Sequence, residues 1–406
     1  MERKFDLNLF IKTFITKRDE SLLVYDFQKY ADEMQKRING KSVLVIGGAG
    51  TIGSSYIKAI LKFKIAKLVV VDINENGLTE LVRDLRSSGG YTIPEEFITY
   101  PVNFGDAVFE KLFRHHGPFQ IVANFAAHKH VRSEKDIFSI EAMIENNVLR
   151  ARKLLDLLLQ FPPEHFFCVS TDKAANPVNI MGASKKLMEE LIMAYSDRLP
   201  IKTARFANVA FSNGSLPLGF LERMQKKQPW SCPRGIRRFF VSPQESGELC
   251  LMASIMGQSG DIFFPKLDED KDMIPFDQIA IDLLHSMGLE PDICQTEEEA
   301  RQKTLLLSET STSYPVYFFG SDTSGEKSFE EFFTENEVLD MDSFINLGVV
   351  KNSKKRSIQE IDAIFAKLRS LFASEHVTKS AIVDILKEYL PNFGHIETGK
   401  GLDSKM

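Results

Sequence analysis

The stretch from Ser42 to Asp72 constrains this chain more than any other. Ser42-Val43-Leu44-Val45-Ile46 is an apolar run of the length of one buried strand. Gly47-Gly48-Ala49-Gly50-Thr51-Ile52-Gly53 follows, and Ser54 to Phe63 has a helical pattern. Lys67-Leu68-Val69-Val70-Val71 is a second strand, closed by Asp72. This is a βαβ unit, and it commits the chain to a parallel sheet with helices on its faces. The glycines at 47, 50 and 53 are spaced GxxGxxG. Gly permits the tight turn and lets the backbone approach a pyrophosphate, which then rests on the helix N-terminus. Gly47, Gly50, Thr51, Ile52 and Gly53 are therefore candidate cofactor contacts. Asp72 would accept hydrogen bonds from ribose hydroxyls and repel a 2′-phosphate, which favours NAD over NADP. The alternative is a structural turn followed by a surface Asp.

The alternation continues. Phe97 to Val102 is the next strand, and Asn103 and Phe104 at its end are expected to flank an adenine. Gln120 to Ala127 is the fourth, with Ala126 and Ala127 small enough for a dinucleotide to lie against the strand end. His128 and His130 follow without a third ligand at metal spacing, so no metal site is expected. Lys129 between them is either a solvated loop charge or an anion contact. A helix from Glu141 to Leu159 carries Asn147, a polar residue placed to bond backbone near the next strand. Phe166 to Val169 is the fifth strand, and it ends abruptly in Ser170-Thr171-Asp172-Lys173. Pro177 breaks the loop, and Met181-Gly182-Ala183-Ser184-Lys185 opens a helix. Lys202 to Phe206 is the sixth strand, followed by Asn208. Ligands of such sheets bind outside the carboxyl ends of the strands, so chemistry is expected at Thr171 to Lys173. The bland alternative there is a polar strand end with an Asp–Lys ion pair. Arg234, Arg237 and Arg238 are a solvated face or a diphosphate clamp.

The chain has 406 residues, 43% of them hydrophobic, which suffices for a large core or two domains. A net charge of -6 offers no basic surface for nucleic acid or membrane. The N-terminus lacks a signal-peptide pattern, and no apolar stretch is long enough to span a bilayer. Four dispersed cysteines (168, 232, 250 and 294) read as reduced thiols of a cytoplasmic protein. The expected organisation is a helical N-terminal arm (1–40), a cofactor-binding domain with part of the substrate region (41–265), the rest of that region (266–325) and a helical C-terminal extension (326–406). The terminal helices are expected to support a homo-oligomer. Ser357 to Glu360 fits a capping box, and Thr378 to Leu390 another helix.

At GGAGTIG, AAHKHV, NNV, STDKAANPVNIMGASK and RFANV the chain resembles the extended short-chain dehydrogenase/reductase superfamily. Within it, the chain looks like the nucleotide-sugar 4,6-dehydratases of bacterial polysaccharide biosynthesis, which act on N-acetylglucosamine nucleotides. The resemblance covers roughly residues 41 to 265. It implies a doubly wound α/β sheet (a Rossmann fold), a smaller mixed substrate region, bound NAD and a UDP- or GDP-linked sugar. GEKSFEEFF and HIETGKGLDSKM resemble segments of relatives placed in legionaminic-acid-type pathways. One departure is Met181, where most of the superfamily has the Tyr of YxxxK; a thioether cannot act as a base. Some of these dehydratases share this Met, so inactivity does not follow. The implied roles are Lys173 as base at C5, Asp172 as acid at C6, Thr171 holding O4 and Lys185 on the nicotinamide ribose. Lys129, Asn208 and Arg238 are candidate substrate contacts. Lys173 could serve only with a lowered pKa and Asp172 only with a raised one. Both tips must also reach one substrate, which a fully extended strand forbids. A 4-epimerase and a catalytically inactive NAD-binding protein are the competing readings.

Overall fold

The computed structural model describes residues 5–320, 327, 329–353 and 355–397, apart from the side chains of Arg132 and Ser133. Within the expected motifs, Gly325, Glu326, Ser328 and the tail from Thr398 lie outside the described residues.

The strands in chain order are β1 (Ser42–Ile46), β2 (Lys67–Asp72), β3 (Glu96–Pro101), β4 (Ile121–Asn124), β5 (His165–Val169), β6 (Ile201–Ala204) and β7 (Asn208–Val209). They continue as β8 (Trp230–Pro233), β9 (Arg237–Val241), β10 (Asp261–Pro265) and β11 (Met273–Pro275). The last four are β12 (Glu290–Cys294), β13 (Ser313–Phe319), β14 (Val338–Asp340) and β15 (Leu347–Lys351). Nine form one sheet in the order β14-β15-β10-β6-β5-β4-β1-β2-β3. From β10 to β3 every pairing is parallel. Residues Val43–Ile46 and Leu68–Val71, all of β4 and all of β5 are buried. Helices cover both faces, which is why these strands read as unbroken apolar runs rather than alternating ones. The chain winds outward from β1 to β3, then returns to β4 and winds the other way. The strand order reverses between β1 and β4, where Ile46 is registered with both Val71 and Asn124. That reversal opens the crevice in which such folds bind ligands.

The expected terminal segments differ from the structure in two respects. The arm before residue 40 is helical, but it serves two cores. Phe10, Ile11 and Ile15 pack with Phe211, Phe220 and Trp230 in the smaller region, while Met34 and Ile38 join the main core. The region after residue 326 is not purely helical: β15 pairs antiparallel with β10, and β14 with β15. Leu347–Lys351 is too short for its period to separate strand from helix, so pairing with β10 decides its state. The two C-terminal helices, Ile358–Phe372 and Lys379–Tyr389, bury Ile361, Phe365, Ile382 and Leu386 against the main core. Ser357 and Glu360 form the anticipated capping box.

Candidate active site

The loop after β1 is shaped by its glycines. Gly47 adopts φ +77°, and a Cβ there would stand 2.5 Å from the amide nitrogen of Ala126. At Gly53 a Cβ would stand 2.2 Å from the carbonyl oxygen of Gly47. At Gly50 it would meet only that same oxygen, at an ordinary 3.6 Å. The fold itself therefore demands glycine at 47 and 53 but leaves open space over 50. Helix Thr51–Ile60 starts there with no side-chain cap, so its first-turn N–H groups remain for a ligand. Asp72 turns toward this loop: one carboxylate oxygen accepts from Ala49 N (2.9 Å) and the other from Asn74 N (2.9 Å). Ala126, half-buried beyond β4, donates its N–H to Asn124 Oδ1 (3.0 Å). These residues fit a dinucleotide: open backbone over Gly50, an uncapped helix N-terminus and an acid at the β2 end. Phe104 is a correction. Its ring is 5% exposed and packs edge-on against Phe109, so it belongs to the core rather than to an adenine wall. Asn103 spends its side-chain oxygen on Gly105 N (2.9 Å).

β5 ends at Val169, and Asp172–Ala174 is a 3-10 turn, so the strand has already broken where the polar triplet stands. One oxygen of Asp172 accepts from Thr171 Oγ1 (2.8 Å), Lys173 N (2.8 Å) and Lys173 Nζ (3.0 Å). Acid and amine tips thus share one side, as a common substrate requires. Glu330 approaches the same ammonium, with Oε1 at 3.7 Å. Burial presses the Lys173 pKa down, but Asp172 and then Glu330 outweigh it, and the net shift is upward. This corrects the expectation of a lowered Lys173. Lys185 behaves oppositely: burial lowers its pKa, with Cys168 and Glu189 opposing. Its ammonium donates to Val169 O (2.9 Å). Met181, 1% exposed, lies one turn before Lys185 in helix Ile180–Ala194. Asn147 sits in a π-helical segment, Glu145–Leu149, a distortion common at functional sites. It accepts from His128 N (2.8 Å) and donates to His128 O (3.0 Å) and Ser184 Oγ (3.0 Å). It thereby ties the loop after β4 to the Met181–Lys185 helix.

A cleft of about 830 Å³ opens beside the triplet and brings Lys129, Lys173, Asn208 and Arg238 together. Lys135 and Arg223 add to its positive wall, against Glu222. That excess of cationic donors suits a diphosphate. Thr171, Asp172, Met181 and Lys185 stand behind Lys173 rather than in the lining. A second cavity of about 780 Å³, under the N-terminal arm between Arg18 and Glu248, contains none of the expected site residues. Two functional candidates were invisible locally. Glu330 reaches the triplet only through the fold. Arg205 is fully buried and pairs with Glu189 (2.8 Å) and Glu337 (2.8 Å), and Glu189 links it to Ser170 just before the triplet. Ser170 Oγ donates to Glu189 at 2.6 Å.

Sheet order, glycine loop and the polar end of β5 define an extended short-chain dehydrogenase/reductase fold. The family model described as "Polysaccharide biosynthesis protein" matches residues 43–351, and the chain belongs to that family. Among curated relatives, the probable polysaccharide biosynthesis protein EpsC of Bacillus subtilis is 28% identical over 309 residues, 75% of this chain and 47% of EpsC. The chain thus spans about half the length of that relative. A UDP-N-acetylglucosamine 4,6-dehydratase (inverting) of Campylobacter jejuni is 27% identical, covering 57% of this chain and 69% of that protein. A UDP-glucose 4-epimerase of Rickettsia massiliae is 32% identical, covering 56% and 66%. Among solved structures, Pen from Bacillus thuringiensis shares the fold with TM-score 0.63 at 19% identity, covering 82% of this chain and 98% of Pen. No helix among the described residues is long and apolar enough to cross a membrane.

Proposed function

We propose that this chain is an NAD-dependent nucleoside-diphosphate N-acetylhexosamine 4,6-dehydratase of surface-glycan or nonulosonic-acid biosynthesis. The observation that carries the reading is the turn at Asp172–Ala174, which sets a carboxyl and an amine side by side, with the amine of Lys173 lining a cationic cleft and Asp172 directly behind it. Gly47, Gly50, the N–H groups of Thr51 to Gly53, Asp72, Ala126 and Ala127 hold NAD in this reading, with Lys185 at the nicotinamide ribose. Bound there, NAD supplies the hydride acceptor at C4 and the hydride donor at C6. Arg238 and Lys129 neutralise the diphosphate, and Asn208 orients the sugar side. Thr171 holds O4, and its hydrogen bond to Asp172 gives the proton released from O4 a path onto that carboxylate. Asp172 then has the proton that the C6 hydroxyl needs to leave as water. Lys173 takes the proton from C5. This replaces the missing Tyr with a residue pair rather than with Met181. The homo-oligomer and the cytoplasmic location expected from the sequence belong to the same reading.

A 4-epimerase is the second reading, favoured by the Rickettsia relative. It needs only the C4 step, has no use for an acid and an amine at C5 and C6, and leans on the Tyr that Met181 replaces. Incubation with UDP- and GDP-N-acetylglucosamine in deuterated water separates the readings. Loss of water with deuterium at C5 supports the dehydratase. Unchanged sugar composition with inversion at C4 means an epimerase. Both donors returned unreacted means a binding protein.

A further inference from the structure

Lys173 stands between two buried carboxylates. Asp172 is 3% exposed and Glu330 4%. Asp172 comes from the same turn, whereas Glu330 arrives from the segment between β13 and β14. Around it, Glu331, Phe332 and Glu337 are each tied to the body of the fold. Arg205 donates to Phe332 O (3.0 Å) and to both oxygens of Glu337 (2.8 and 2.8 Å). Asn176, on the loop after the triplet, donates to Glu331 (2.9 Å). The Phe332 ring packs on Phe239, 5.1 Å between centroids, and on Phe264. Placing a carboxylate at 3.7 Å from the ammonium is thus a built feature of the fold.

For a dehydratase this placement poses a chemical problem. An amine is a base only when it has lost its proton, and two carboxylates keep Lys173 protonated. The two acids are not equivalent. Asp172 already accepts three donors on one oxygen, and in the dehydratase reading it receives the proton from O4. Glu330 faces Lys173, Asp172, Arg238 and Lys327. Its burial, and then the charge of Asp172, push its pKa up against the pull of the three cations.

We propose, resting on the dehydratase reading, that Glu330 is the proton acceptor of Lys173, so that the C-terminal segment completes the proton-transfer site. One N–H bond of the ammonium breaks and an O–H bond forms on Glu330, leaving a neutral amine and a neutral carboxylic acid. No charge leaves the buried site, and exchanging an ion pair for a neutral pair suits a poorly solvated environment. The amine then takes the C5 proton. After water has left and C5 has regained a proton from the ammonium, Glu330 returns its own to Lys173. Glu330 is a positioning and relay residue in this scheme; it acts through Lys173.

The test uses the full chain with its bound NAD and follows C5 deuterium incorporation from UDP- and GDP-N-acetylglucosamine. Glu330→Gln is expected to slow C5 exchange about 100-fold, the scale of a lost general acid–base partner. Bound NAD and formation of reduced nicotinamide on mixing with substrate should persist. Because Glu330 must start ionised, activity is lost as pH falls through its raised pKa, and the amide variant should lack that acid limb. If Glu330 only anchors the ammonium, its removal frees Lys173 to deprotonate more readily. Exchange at neutral pH that is unchanged or faster in Glu330→Gln overturns the relay. Glu330→Asp keeps a titrating carboxyl and should exchange faster than the Gln variant with a displaced acid limb; exchange no faster than Gln in a folded Asp variant also overturns it. A wild-type chain that shows no C5 exchange overturns the dehydratase reading and the relay together.

Discussion

Gly50 and Gly53 stand three residues apart in one loop, yet alanine should act on them in opposite ways. At Gly53 the added Cβ would lie 2.2 Å from Gly47 O and 2.9 Å from Gly48 Cα, both backbone atoms that cannot swing aside. Overpacking of that kind costs about 1–3 kcal/mol, and more where the backbone must move. Gly53→Ala should therefore lower the melting temperature with or without NAD. At Gly50 the Cβ would meet only Gly47 O at 3.6 Å, and the backbone angles, φ -74° and ψ 161°, suit alanine. Restricting the unfolded chain at such a site stabilises by about 0.4–1 kcal/mol. Gly50→Ala should therefore melt at or slightly above wild type when NAD is absent. In the proposed reading the new methyl enters the space that the pyrophosphate takes, and a clash of about 1–3 kcal/mol there weakens binding about 5- to 150-fold. Wild type at a hundredfold excess of NAD over its Kd gains about 3 kcal/mol, of which Gly50→Ala should lose about 1–2.4 kcal/mol. Equilibrium NAD titration and thermal unfolding with and without NAD check both halves. A Gly50→Ala protein that binds NAD like wild type would place the pyrophosphate elsewhere. A Gly53→Ala protein as stable as wild type would refute the steric account of the loop.

Lys173→Ala should abolish C5 exchange while the purified protein keeps its NAD; exchange that survives puts the base elsewhere. Arg205→Met leaves Glu189 buried without its guanidinium and unties Glu337 and Phe332. Breaking such a pair costs about 3–5 kcal/mol, readable by urea unfolding, and adding Glu189→Leu should restore part of it. His165 is held down to about 3 by burial first, then by Lys202, Arg37 and Lys41. The unfolded chain therefore binds a proton there that the fold refuses, and stability falls as pH drops from about 6.5 toward that value. At pH about 4.5 the loss from this one group is about 3 kcal/mol. The difference in unfolding free energy between pH 7 and pH 4.5 should shrink by that amount in His165→Gln; an unchanged difference means that His165 is protonated in the fold.

The parts of the molecule that could be read from sequence are those whose physics is local. β1, β2, β4 and β5 are mainly apolar runs with polar strand ends, and the glycine loop, Asp72 and the Thr171–Lys185 stretch each lie within a few residues of the structure around them. Asn147 was legible for the same reason, as a polar residue on an otherwise sheet-facing helix. β14 and β15 were not, because three and five residues carry too little period to overrule a helical context. Phe104 failed because an aromatic ring beside a strand end serves a core as readily as a ligand, and Phe109 claims it. The sharper lesson concerns Lys173. Sequence identifies the amine, but its protonation is a difference between the cost of burial and the pull of every neighbouring carboxylate. Asp172 is its neighbour in the chain and is visible there. Glu330 is its neighbour only through the packing of Phe332 and the guanidinium of Arg205, so the sign of the shift could not be read before the fold was known. A base that the fold keeps protonated needs a second acceptor. In the proposed mechanism Glu330, which together with Asp172 holds Lys173 protonated at rest, is also the group placed to take that proton in turnover.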